Sequence, residues 1–170
     1  MANQDKATGF NPIGTLAGGS IPRPVEFILT TSEIVYEGDP VIVTSTGTVT
    51  HAEYNSTTTL LGVAAEYVYD SGGVGGLKVK VYVDPNIIYE VQANAAYAVT
   101  DVFSTANTIA YAVGSSATKK SLMELDTFGT STGAWLVLGL VDSPDNAWGA
   151  HQKVKVVINN GVRITAYAGI

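Results

Sequence analysis

LKVKVYV-DPN-IIYEVQA, residues 77–93, reads as two strands and a turn. Leu77, Val79, Val81 and Val83 alternate with Lys78, Lys80 and Tyr82, the two-residue period of a half-buried strand. Asp84-Pro85-Asn86 supplies the reversal: Asp opens turns, Pro presets φ, and Asn tolerates the tight position after it. A three-residue loop predicts a hairpin with Val83 opposite Ile87, Val81 opposite Tyr89, Val79 opposite Val91 and Leu77 opposite Ala93. Its other face pairs Tyr82 with Ile88, Lys80 with Glu90 and Lys78 with Gln92, so that opposite charges meet across the strands. This hairpin is the expected centre of an all-β domain.

Working outward, short strands with a turn every eight to twelve residues continue the pattern of a sandwich or barrel. Val25–Thr30 and Ile34–Tyr36 lead to the turn Glu37-Gly38-Asp39-Pro40. Val41–Thr44 and Thr48–Ala52 flank Ser45-Thr46-Gly47, and Leu60–Tyr69 is long enough to bend at Gly62. Asp70-Ser71-Gly72-Gly73-Val74-Gly75-Gly76 reads as a flexible connector: it lacks the Lys-Ser/Thr and the helix that a phosphate loop requires. Asn94–Thr108 is ambiguous, with a possible helical turn in its Ala-rich start and extended pieces at Val99–Phe103 and Ile109–Val113. Thr118–Leu125 fits a short helix or a strand equally. Trp135–Val141 is apolar on both faces, which predicts burial on both sides or a subunit interface. Val154, Val156 and Ile158 open a last hairpin that turns at Asn159-Asn160-Gly161 and returns through Val162, Ile164 and Ala166.

Residues 1–24 differ from the rest. Pro12, Pro22 and Pro24 oppose a helix and Gly14, Gly18 and Gly19 weaken a strand, while Phe10, Ile13, Leu16 and Ile21 recur as isolated apolar anchors. Two readings stay open: a frayed terminus, or an extended N-terminal arm that docks on a neighbouring subunit. The expected organisation is therefore an arm, 1–24, and a single β-rich domain, 25–170, built as a small β-barrel or sandwich of short antiparallel strands.

Composition excludes several functions. A chain of 170 residues that is 46% hydrophobic and 14% charged is a folded globular chain. Its apolar runs are strand-length, too short to cross a bilayer as a helix, and MANQDKATGF carries no apolar secretory core. Without cysteine there is no disulfide framework, thiolate nucleophile or cysteine-ligated zinc. The net charge is −6, and the nine basic residues lie scattered as singles or pairs, so no stripe exists to hold a phosphate backbone.

Catalytic signatures are likewise missing. His51 and His151 have no HExxH spacing, so a zinc site would need carboxylates brought to a histidine by the fold. Serines lack a GxSxG elbow. Asp142, Asp145 and Asn146 supply about half the oxygens calcium takes, and read first as a turn bonding its own backbone. No catalytic, cofactor-binding or metal residue is assigned.

The succession Tyr36-Glu37-Gly38-Asp39-Pro40-Val41, Gly47-Thr48-Val49 and Leu60-Leu61-Gly62-Val63-Ala64 resembles tailed-phage head decoration (cement) proteins. In that family a Gly-Asp-x-Val strand, a Gly turn and a Leu-Gly-Val strand build a small β-barrel. MANQDKATGF, Tyr89–Ala93, Ala98–Val102, Met123–Asp126, Pro144–Asn146 and Val154–Asn160 also resemble phage virion structural proteins, in an order that spans nearly the whole chain. Phe103 departs from the pattern, standing where glycine is expected after Thr-Asp-Val.

The resemblance implies a non-enzymatic protein, made in the host cytoplasm, that binds the outside of an assembled capsid as a homotrimer and reinforces it. Its partners would be the major capsid protein and itself, with no nucleic acid, membrane or cofactor. Candidate contacts to capsid or subunit are Phe10, Ile13, Leu16, Ile21, Trp135, Leu138 and Trp148. Two other classes remain as alternatives: a carbohydrate-binding module or adhesin with Trp148 and tyrosines as platform, and a hydrolase using a carboxylate pair such as Glu124 with Asp126.

Overall fold

The structure is a computed structural model and describes residues 3–52, 59–109, 114–128 and 133–162. Through them run β1 (Asn11–Thr15), β2 (Val25–Ile28), β3 (Ile34–Val35), β4 (Pro40–Val43), β5 (Val49–His51), β6 (Leu60–Ala64) and β7 (Val68–Tyr69). There follow β8 (Lys78–Tyr82), β9 (Ile87–Gln92), β10 (Thr105–Ile109), β11 (Glu124–Phe128), β12 (Trp135–Leu140) and β13 (Lys153–Ile158). They form a six-stranded sheet, β1-β9-β13-β12-β10-β11, a five-stranded sheet, β2-β8-β6-β4-β5, and a two-stranded ribbon, β3-β7. All the ladders are antiparallel, and the class is all-β and sandwich-like.

The faces predicted for residues 79–91 are correct, although Leu77 at one end is exposed and Gln92 at the other is buried; the pairing is not correct. Val79 and Val81 are buried while Lys78 and Lys80 are exposed, and Ile87, Tyr89 and Val91 are buried in turn. The turn is present too: Asp84 Oδ1 accepts the Asn86 N–H at 2.8 Å. Yet β8 lies between β2 and β6 in one sheet, and β9 between β1 and β13 in the other. Every edge of both strands is occupied, so none is left for a hairpin. Asp84–Asn86 is a corner from one sheet to the next. Lys80 accordingly stands opposite Glu26 and 3.5 Å from Glu66, while Glu90 stands opposite Lys155 and 2.7 Å from Lys153.

Between the two large sheets lies a core of Phe10, Ile87, Tyr89, Val91, Leu125, Trp135, Val137, Val154, Val156 and Ile158, met by Leu60 and Val63 of β6. A second core lies on the other side of the five-stranded sheet: Leu29, Val35, Val41, Val49, Leu61, Ala64, Val79 and Val81. All five residues of β6 are buried because this strand faces both cores, its two faces set by a register shift against β4. Gly62 is required there, since a Cβ would lie 2.0 Å from the Tyr82 carbonyl oxygen on β8. The five-stranded sheet is rolled until its edges touch at one bridge, Leu29 to Val49, with the Thr30 N–H on the Val49 carbonyl at 2.9 Å. Among the described residues no continuous ladder closes it into a barrel.

Several local expectations change. β6 does not bend at Gly62; it ends at Ala64, and β7 joins the ribbon. Val99–Asp101 is a 3-10 turn, not extended, and Thr118–Leu125 stays irregular until β11 begins at Glu124. Doubly buried Trp135–Val141 is also corrected: Trp135 and Val137 are in the core, but Leu136, Leu138 and Leu140 are half-buried. The predicted piece Ile109–Val113 and the return strand of the last hairpin fall mostly on residues 110–113 and 163–170, outside the described residues; at its start Val162 donates its N–H to the Leu60 carbonyl.

Residues 1–24 are not without a packed element. Asn11–Thr15 is an edge strand on β9, with Asn11 opposite Glu90 and Thr15 opposite Ile87. Pro12 is tolerated because an edge strand needs donors on one side alone, and the register shifts between Pro12 and Gly14.

Candidate functional site

The predicted contact residues separate by depth. Phe10 and Trp135 are both fully buried. Their rings stack with centroids 4.2 Å apart, Tyr89 meets the Trp135 edge at 5.7 Å, and Trp135 Nε1 donates to Thr108 Oγ1 at 2.8 Å. Both rings are enclosed by their own chain: as large aromatics they secure the core, which corrects their reading as contacts. Ile21 and Trp148 are partly buried against the same core. Ile13 and Leu16 remain exposed, at 44% and 55%, on and just after β1. Leu138 is half-buried where β12 shifts register against β13.

Phe103 was not among the expected contacts, although the sequence marked it. It adopts φ +67, the left-handed conformation that glycine takes readily and a bulky residue rarely. It is 55% exposed, and its N–H donates to the Val137 carbonyl of β12 at 2.8 Å. An exposed aromatic side chain is thus held on strained backbone that is hydrogen-bonded to β12.

The Gly-Asp turn acts as a junction, not as a chemical site. The Phe10 N–H donates to the Gly38 carbonyl, the Gly38 N–H to the Ala64 carbonyl, and the Ala64 N–H to the Asp39 carbonyl. The Asp39 side chain accepts the Tyr36 N–H at 2.8 Å. Burial pushes its carboxyl above the usual range, against the lowering effect of hydrogen bonds from Ser121 and Tyr36. The glycine-rich loop is likewise more ordered than a flexible connector. Its Val74 and Gly75 N–H groups, with that of Ser32, donate to the Asp70 carboxylate, which they hold below its usual range. The amides a phosphate would need are taken by the chain's own Asp70.

A polar centre lies where the N-terminal segment crosses the end of the six-stranded sheet. Gln92, almost fully buried at the end of β9, donates through Nε2 to Asp5 Oδ1 at 2.8 Å and to Glu124 Oε1 at 2.7 Å. Its Oε1 accepts the Lys6 N–H. His151, at φ +55 in the turn before β13, brings Nδ1 to 3.6 Å from Asp5 Oδ1. Burial, then neighbouring Asp5, raises the Glu124 carboxyl against the Gln92 hydrogen bond and His151. A groove of about 410 Å³ opens beside it, lined by Asn3, Lys6, Asp145, Asn146 and Lys153 among others. Asn146 itself bonds backbone, as a turn residue should: Nδ2 to the Val141 and Lys153 carbonyls, Oδ1 to the Lys153 N–H. His51, by contrast, pairs with Glu33 at 3.0 Å. Glu124 is thus engaged by Gln92, and the carbonyl of Asp126 accepts the Tyr97 hydroxyl.

No protein-family model matches the chain, and no curated protein matches it in sequence.

Proposed function

We propose that the chain is a structural phage-head protein: a decoration protein that binds the outer surface of an assembled capsid as a homotrimer and stabilises it. The observation that carries this reading is where the resembling segments fall. Gly-Asp-Pro-Val leads into β4, Gly47 takes φ +81 in the turn to β5, and Leu-Leu-Gly-Val-Ala is β6, all adjacent in the rolled sheet. That is the arrangement the family resemblance implies. The net charge of −6 also suits an outer shell better than a lumen packed with DNA. Subunit and capsid contacts are assigned to Leu138 on β12 and Phe103 hydrogen-bonded to that strand, and to Ile13 on β1 and Leu16 just after it.

The test is quantitative protein analysis of washed, purified particles, with light scattering on the isolated chain. A fixed copy ratio to the major capsid protein and a mass about three times the 17.7 kDa chain support the reading. Absence from washed particles overturns decoration. A clean monomer at micromolar concentration overturns the trimer.

A further inference from the structure

The polar centre has a donor set that the decoration reading does not use. Asp5, Glu124 and His151 each offer one ligand atom, and the three atoms lie within 4.8 Å of one another. They come from three separate parts of the chain: the N-terminal segment, the first residue of β11 and the turn before β13. The His151 Nδ1 atom is closed off from solvent and has no hydrogen-bond partner among the described residues. A buried ring nitrogen ordinarily has one. Donation to Asp5 would draw the atoms together to about 3 Å, and they stand 3.6 Å apart. With its proton on the other ring nitrogen, His151 sets the Nδ1 lone pair against the Asp5 carboxylate, and a cation placed between them turns that repulsion into attraction.

We propose that Asp5, Glu124 and His151 bind a divalent transition-metal ion of the zinc class, clamping the N-terminal segment onto the end of the six-stranded sheet. One imidazole and two carboxylates suit zinc, and a fourth position on the groove side is left for water. Tetrahedral zinc, with bonds of about 2.0–2.2 Å, places its ligand atoms about 3.3–3.6 Å apart. The Asp5 side chain is 70% exposed and can move by the ångström this requires. Gln92 orients both carboxylates from behind, as outer hydrogen-bond partners of metal ligands do. This inference does not depend on the capsid reading.

Zinc chloride titrated calorimetrically into the untagged, EDTA-stripped full chain tests it. The expected result is one saturable site per chain, with zinc raising the melting temperature and slowing amide exchange in residues 3–8. Asp5→Asn and Glu124→Gln, which keep acceptors for Gln92, should each weaken binding by at least about tenfold. The control His51→Asn, at the other histidine–carboxylate pair, should leave it unchanged. Melting in EDTA shows whether each variant is folded, and either folded variant decides the question. No saturable binding up to millimolar zinc, or binding that both folded variants leave intact, overturns the proposal.

Discussion

The Phe10 ring lies flat on the Trp135 indole, centroids 4.2 Å apart and planes 16° from parallel, joining the N-terminal segment to β12. The contact makes residues 3–15 part of the folding unit. Phe10→Ala should cost about 3–5 kcal/mol in chemical denaturation, from lost burial plus the cavity left against Trp135. An unchanged midpoint would mean that the segment is a detachable arm after all.

Charge pairing is a second test of topology. Reversing Glu90 and Lys153 singly and together should reveal a coupling of about 0.2–1 kcal/mol at low salt, because they lie 2.7 Å apart at a half-exposed site. The same cycle on Lys80 and Glu90 should give none, since those residues sit in different sheets. The reverse outcome would restore the hairpin.

Phe103→Gly should stabilise the isolated chain by about 0.5–1 kcal/mol, because φ +67 strains a bulky residue and suits glycine. The same change should weaken trimer or capsid binding. Stability rising while association falls, read by denaturation and co-sedimentation with undecorated capsids, is the expected pair of results.

The Tyr89 hydroxyl is buried in the main core with no hydrogen-bond partner among the described residues, and burial pushes its pKa well above the ordinary phenol range. Removing an unsatisfied buried group relieves its desolvation cost. Tyr89→Phe should therefore raise stability by about 1 kcal/mol, measured by the urea midpoint at constant slope. A loss of similar size would show that the hydroxyl is bonded.

Asp39 gives a pH dependence whose sign follows from its raised carboxyl. Between its unfolded value, near 3.9, and its higher folded value, the native state holds more protons than the unfolded chain. Stability from this group is greatest below that window, falls as pH rises through the folded value, and stays reduced above it. Asp39→Asn keeps an acceptor for the Tyr36 N–H and does not titrate. Its stability relative to the parent should improve from pH 4 to pH 7. A constant difference across that range would assign no titration to Asp39.

The site residues show what could be read in advance. Phe103 stood out as a departure from the resemblance, where glycine is expected, and it is there that the backbone turns left-handed. The histidine–carboxylate centre was invisible: Asp5, Gln92, Glu124 and His151 are far apart in the chain, and no spacing rule connects them. Phe10 looked like a tail anchor because its local sequence is polar and glycine-rich. Its burial depends on β9 offering an edge to β1 and on Trp135 arriving from residues 125 positions away.

By itself the sequence determined the all-β class, most strand positions, the turns at Asp84–Asn86 and Ser45–Gly47, and which side of β8, β9 and β13 is buried. These are local properties: side-chain alternation has a period of two, and turn residues act within four positions. Only the tertiary structure decided that β8 and β9 belong to different sheets, that β6 faces two cores, and that the N-terminal segment is a sheet edge. An alternating strand exposes identical backbone donors and acceptors on both edges, so its pattern selects a face and leaves the neighbour open. The neighbour is chosen when all the strands compete for edges and for the two cores at once.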